Sequence, residues 1–311
     1  MPTRVRWLAA SSTAVTVLLI AVGGVVRATG SGLGCPGWPR CFGRWIPPFE
    51  YHAVIEYSHR LVVFADVVLI GLFAAAALFG ARRHRRVMAL AIASFVLVFF
   101  QAALGAIVVK AELQPLLVTA HFATAMVLLA VLTLATVAAL SPDAGRQRGR
   151  LSALAWGTAA SIFVLLVVGA YVRGEGASLA FRDWPLMNAD LVPRLDSFKQ
   201  ALHFSHRVLA VVVAVLVTAL AVKGRRERKE NRPFATLVFL LGALFVTQVL
   251  VGAANVWSRL APAAVAAHVG LAGLIWAVAV AAAATARWQS LPSPKPVLEF
   301  ADRSPQLVHQ S

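Results

Sequence analysis

Along this chain, long apolar runs alternate with short clusters of arginine or of glycine, proline and tryptophan. A helix needs about 20 apolar residues to cross the hydrocarbon core of a bilayer. Eight runs reach that length, at roughly 7–27, 54–79, 87–109, 117–140, 151–172, 202–222, 234–257 and 263–286. Each is predominantly apolar, so each predicts a membrane-spanning helix. Arg4 and Arg6 precede the first run, but no A-x-A-like cleavage site follows it. It also continues the duplication described below, and is read as a retained helix rather than a removed signal peptide.

Composition agrees. The 311 residues are 59% hydrophobic and 14% charged, with mean hydropathy +0.77. A soluble catalytic domain has no place in such a chain. The net charge of +16 would suit nucleic acid, but its placement excludes that reading. Arg4 and Arg6 precede the first helix, and Arg82, Arg83, Arg85 and Arg86 follow the second. Arg146, Arg148 and Arg150 follow the fourth, and Lys223, Arg225, Arg226, Arg228, Lys229 and Arg232 follow the sixth. Alternating helices put all four clusters on one side, whereas the opposite short loops carry only Lys110 and Arg259. This positive-inside pattern predicts two cytoplasmic termini in a multi-pass protein of a bacterial cell membrane. The bilayer is the partner the excess charge serves, through topology and contact with anionic lipid.

Polar landmarks then reveal a duplication. Val26-Arg27, Gly30, Leu33 and Trp38-Pro39 recur at Val172-Arg173, Gly176, Leu179 and Trp184-Pro185, an offset of 146. Ser58-His59-Arg60, Gln101, Gly105 and His121 recur at Ser205-His206-Arg207, Gln248, Gly252 and His268, an offset of 147. Each unit holds four helices, an even number, so both copies share one orientation. The expected fold is an all-α integral membrane protein: eight transmembrane helices as two tandem four-helix bundles, with pseudo-twofold symmetry along the membrane normal. The units are 1–146 and 147–287. The tail 288–311 carries Pro292, Pro294, Pro296 and Pro305, and is expected to be cytoplasmic and disordered.

His59, His121, His206 and His268 lie near the outer ends of the second, fourth, sixth and eighth helices. An ionisable side chain within a span is costly and marks function. Two facing imidazoles in a helical bundle can ligate both faces of a haem iron. Gly105 and Gly252, with Ala-rich stretches, offer space for the macrocycle. The plainer alternative is that each histidine hydrogen-bonds a neighbouring helix. Zinc or copper fits less well, because no third or fourth ligand repeats at this depth. Arg60 and Arg207, directly after a histidine, and Arg27 and Arg173, at helix ends, are candidates for the haem propionates; interfacial snorkelling is the alternative.

The halves differ in chemistry. Glu56 shares a helix face with His59, and its counterpart is His203; Asp66 is matched by Val213. A carboxylate beside a substrate can move a proton or stabilise a developing cation, or it can simply pair with an arginine. Cys35 and Cys41 fall in an outer loop and are matched by Phe181 and Met187. Their setting is oxidising in bacteria, and C-x5-C is neither a C-x-x-C motif nor a zinc set. A disulfide closing a short loop is expected, with two free thiols as the alternative. The asymmetry suggests that the first half acts on its ligand and the second holds a permanent cofactor.

The string from Gly23 to Leu33 (GGVVRATGSGL), then C-P-G-W-P-R-C, then Glu56-Tyr57-Ser58-His59-Arg60, resembles haem A synthases of the bacterial type with paired loop cysteines. The resemblance spans roughly 7–286. It implies an oxidoreductase that converts the methyl group of haem O to the formyl group of haem A for terminal oxidases. By the same resemblance His206 and His268 hold haem b, His59 and His121 flank the substrate haem, Glu56 is the key acid, and Cys35 and Cys41 form the disulfide. The partners it implies are haem O, a haem O synthase and the assembly factors of terminal oxidases; homo-oligomerisation is compatible with it. Asp66 and His203 have no role assigned by the family pattern. A di-haem membrane cytochrome b electron carrier is the alternative, since it too has two bis-histidine sites. A transporter built on parallel repeats would more often have broken helices, and none of the eight is clearly broken.

Overall fold

A computed structural model of the chain describes residues 1–146 and 151–289. Eight helices account for nearly all of it: α1 (Thr3–Ala28), α2 (Tyr51–Gly80), α3 (Arg85–Lys110), α4 (Pro115–Leu140), α5 (Ser152–Gly174), α6 (Phe198–Gly224), α7 (Arg232–Trp257) and α8 (Pro262–Arg287). All eight are long and apolar enough to cross a membrane. Most extend a few residues beyond the apolar runs, because arginine, lysine and capping residues form the end turns. Prolines in the first turn start α4, α7 and α8, where a missing N–H costs nothing. Ser197 and Asn231 cap α6 and α7 by accepting from Gln200 N and Phe234 N. A 3-10 turn, Arg226–Arg228, follows α6. Of the expected tail, Trp288–Gln289 pairs antiparallel with Gly145–Arg146; residues 290–311 lie outside the described residues.

Packing within each half closes a ring. Helix α1 packs on α2 and α4, and α3 joins α2 to α4; likewise α5 packs on α6 and α8, and α7 joins α6 to α8. The histidine-bearing helices α2 and α4 therefore face each other across one ring, and α6 and α8 across the other. The rings meet where α8 touches α1 and α4, and where α4 touches α5. Helix α8 is the most enclosed, with 67% of its apolar window buried against 17% for α3 and α6. Its Trp276 Nε1 donates to the Met126 carbonyl of α4 at 2.7 Å. Helices α1 and α8 approach closely through small residues. A Cβ on Gly24 would lie 2.9 Å from Val269 Cβ, and one on Gly270 would lie 3.0 Å from Ala21 Cβ. Such small-residue faces let helices associate in lipid by packing alone.

Backbone irregularities recur at the spacing of the sequence duplication. Positive φ occurs at Gly30 and Gly176, at Phe42-Gly43 and Asn188-Ala189, and at Glu112-Leu113 and Arg259-Leu260. Short bridges join Cys41 to Arg44 and Met187 to Asp190. The two long outer loops thus take the same path although few of their residues agree.

Candidate haem-binding site

His59, His121, His206 and His268 each sit on a glycine of the preceding helix. A Cβ on Gly23 would lie 3.4 Å from His59 Cε1, on Gly105 3.1 Å from His121 Cε1, on Gly169 2.9 Å from His206 Cε1, and on Gly252 3.4 Å from His268 Cε1. The room left by Gly105 and Gly252 is thus filled by an imidazole rather than kept for a flat ligand. Each ring is pressed edge-on against backbone, which limits its rotation. Nδ1 of His59, His206 and His268 is buried without a hydrogen-bond partner. At that nitrogen these three rings lack the interhelical hydrogen bond that a structural histidine makes.

His121 is held by more. Gln101 Nε2 donates to the His121 carbonyl at 2.8 Å and lies 3.2 Å from its Nδ1, while Thr124 Oγ1 donates to Gln101 Oε1. Gln248 repeats the contact to the His268 carbonyl at 3.0 Å, but its Oε1 is buried without a partner.

Between His206 and His268 lies a cavity with ≈ 1360 Å³ of empty space, counting its open mouth. Its walls are largely aliphatic and aromatic, and Arg173, Arg207 and Trp184 also line it. Two imidazoles from opposed helices, apolar walls and guanidinium groups are the donor set a haem requires, so the residues present fit that group. Phe122 of α4, next to His121 in sequence, also lines this cavity, so the helix that carries His121 forms part of its wall.

At the mouth the arginines divide. Arg60 donates to the carbonyls of Cys35 (2.7 Å) and Gly37 (2.6 Å) and pairs with Glu56. Arg207 donates to the carbonyls of Asp183 and Leu186, both at 2.9 Å, and to His203 Nε2 at 3.3 Å. Both therefore fasten an outer loop to its bundle. The helix-end pair is freer: Arg27 donates to the Arg173 carbonyl at 3.4 Å, and Arg173 Nε is buried without a partner. Among the described residues Arg60–Glu56 is the one ion pair, so Arg27 and Arg173 stand close together with no carboxylate.

Glu56, one turn before His59, accepts from the Cys35 N–H at 2.6 Å and from Arg60. His203 holds the same place in the other half: Arg207 donates to its Nε2, and its Nδ1 lies 3.3 Å from the Phe181 N. The sequence left His203 without a role; it is the loop anchor that Glu56 also provides. Cys35 and Cys41 form a disulfide within this anchored loop. In the second loop Asp183 does the fastening, its carboxylate accepting from Asn188 N and Ala189 N at 2.8 Å. The Ala189 N–H foremost, with the Asn188 N–H and the nearby Arg207 charge, holds the Asp183 carboxyl below the usual carboxylate range.

The cytochrome oxidase assembly protein family model matches residues 6–53 and 48–280, and so covers both histidine pairs. The chain belongs to this family. Its similar relatives include the heme A synthase of Symbiobacterium thermophilum, 33% identical over 290 residues, 88% of this chain and 92% of the relative. That of Geobacillus thermodenitrificans is 30% identical over 273 residues, 84% of each. The family match spans both long outer loops as well as the helices.

Proposed function

We propose that the chain is a haem A synthase, an oxidoreductase that converts the methyl group of haem O to the formyl group of haem A in the membrane. The observation that carries this reading is the doubled histidine seat combined with an acid in one copy only. Four glycine-backed imidazoles make two porphyrin sites, and Glu56, with a buried carboxylate, stands beside His59 where His203 stands beside His206. Chemistry therefore belongs to the N-terminal half, residues 1–146, and a resident haem b to the C-terminal half, residues 147–287. The two bundles are related by a pseudo-twofold axis along the membrane normal, and the arginine-rich ends face the cytoplasm.

His206 and His268 would ligate the haem b iron, and Arg173 and Arg27 would meet its propionates at the mouth. When bound, haem b supplies one-electron redox chemistry that protein side chains lack. His59 and His121 flank haem O across the first ring, their rings fixed by Gly23 and Gly105. Gln101 fixes the height of His121 through its carbonyl. Glu56, held by Arg60 and the Cys35 N–H, presents a carboxylate near the substrate ring, where it can accept a proton or stabilise positive charge. The disulfide loop closes that mouth and limits water access.

Extraction of haem from the purified protein tests this reading. Haem B accompanied by haem O or haem A is expected. Haem B alone at two per chain would instead identify a di-haem electron carrier.

A further inference from the structure

The N-terminal half holds a second polar group, deep in the membrane, that the reading above does not use. Asp66, Thr16 and Ser12 are 0, 2 and 0% exposed. Asp66 lies seven residues inward of His59 on nearly the same face of α2, a drop of roughly 10 Å at about 1.5 Å per residue. Thr16 Oγ1 of α1 lies 3.0 and 3.2 Å from the two Asp66 carboxyl oxygens and 2.9 Å from the Ser12 carbonyl. One hydroxyl hydrogen can serve only one of these acceptors at a time. The Ser12 hydroxyl has no partner, and no cation pairs with Asp66 among the described residues. Hydrogen-bonding capacity is therefore left unused where its desolvation costs most.

The other half shows what this position faces. Thr16 and Asp66 correspond to Ile162 and Val213, while Ser12 corresponds to another hydroxyl residue, Thr158. Ile162 lines the cavity between His206 and His268, and is as buried as Thr16, at 2% exposed. The same register puts Thr16 on the inner wall of the space between His59 and His121. Ile162 lines the site read as taking haem b, with Val213 in the same buried cluster, and Thr16 and Asp66 hold the matching positions in the half read as taking haem O. Haem O differs from haem B by a hydroxyalkyl isoprenoid chain in place of one vinyl group, on the ring edge remote from the propionates. With the arginines at the outer mouth, that edge points inward, toward the level of Asp66.

Resting on the assignment of haem O to the N-terminal half, we propose that Thr16 and Asp66 recognise the side-chain hydroxyl of haem O. The hydroxyl would donate to an Asp66 oxygen or accept from Thr16 Oγ1, using capacity that is otherwise unspent. A site built around a hydroxyl rejects the analogue without one, because its own buried polar groups are then left unpaired. The exchange to Ile162 and Val213 would let the C-terminal half keep haem b and exclude haem O.

The test is an absorption titration of the purified full-length protein, its haem b in place, with haem O and separately with haem B. In the double variant Thr16→Ile/Asp66→Val, the affinity for haem O relative to haem B is expected to fall about tenfold or more, the loss of one or two hydrogen bonds to a buried partner. Haem b content should stay at one per chain. Should the double variant lose haem b, Thr16→Val, which exchanges a hydroxyl for a methyl, is titrated instead, with a smaller drop of the same sign. An unchanged ratio, or an equal loss for both haems, would overturn the proposal and leave the pair as a structural tie between α1 and α2. His59→Ala in the otherwise native protein separates the two claims. If it leaves haem O binding intact, the assignment of haem O to this half fails, whatever the pair does.

Discussion

Glu56 and His203 do one mechanical job with two chemistries. Each accepts from an arginine and lies against a loop N–H, and so ties an outer loop to a helix. Anchoring alone would be served by either residue, so the carboxylate in the N-terminal half needs a further reason. Glu56→Gln keeps an acceptor for the Cys35 N–H but removes the charge. It is expected to fold, retain haem b and bind haem O, with turnover falling on the order of a hundredfold and substrate or an alcohol intermediate accumulating. His203→Gln should change turnover much less. Chromatography of extracted haems reads both variants, and a normal haem A yield from Glu56→Gln would reduce Glu56 to an anchor. Asp183 supports the second loop differently, as a carboxylate held ionised by backbone N–H groups. Its folded value is depressed, so its contribution is present above the unfolded carboxylate range and is lost as pH falls through the folded value. Asp183→Asn should flatten the acid side of the thermal-stability profile.

At the scale of helices, the glycine seats decide where the imidazoles stand. Adding bulk at Gly169 would put a Cβ 2.9 Å from His206 Cε1, whereas nothing lies within 4 Å of a Cβ at Gly157 on the same helix. Gly169→Val is therefore expected to displace the His206 ring and abolish the low-spin haem spectrum, at an overpacking cost of about 1–3 kcal/mol. Gly157→Ala should leave the spectrum intact. The eight helices were legible in the sequence because each run exceeds the bilayer's length requirement and little else in the chain is long enough. The four histidines were legible because an ionisable group within an apolar run stands out. The seats at Gly23 and Gly169 were not, since a glycine among alanines and valines gives no sign of what packs on it across a helix gap. The role of His203 was equally hidden: its loop partner, Phe181, lies 22 residues away, in a loop whose sequence differs from its counterpart's.

For the whole molecule, the proposed reading is that duplication followed by divergence gives two sites that share geometry and differ in chemistry. Orientation comes first, since it decides on which side the sites open. A reporter active only outside the cytoplasm, fused after Arg228, should give no signal if the arginine-rich ends face inward. The division of labour is then tested by removing one ligand at a time. His206 and His268 face the apolar cavity of the C-terminal half, and His206→Ala or His268→Ala should abolish the stable low-spin haem spectrum of the purified protein. His59 and His121 stand in the half with Glu56, the disulfide loop and the Thr16–Asp66 pair. His59→Ala or His121→Ala should leave that spectrum largely present and abolish haem A formation. Helix α4 carries His121 and also, through Phe122, walls the other cavity, so a general collapse of the bundle would be felt in both halves. A retained spectrum together with lost product therefore points to the ligand rather than to the fold. Equal spectral loss from all four variants would mean two equivalent permanent haems, and the asymmetry of Glu56 would then need another explanation.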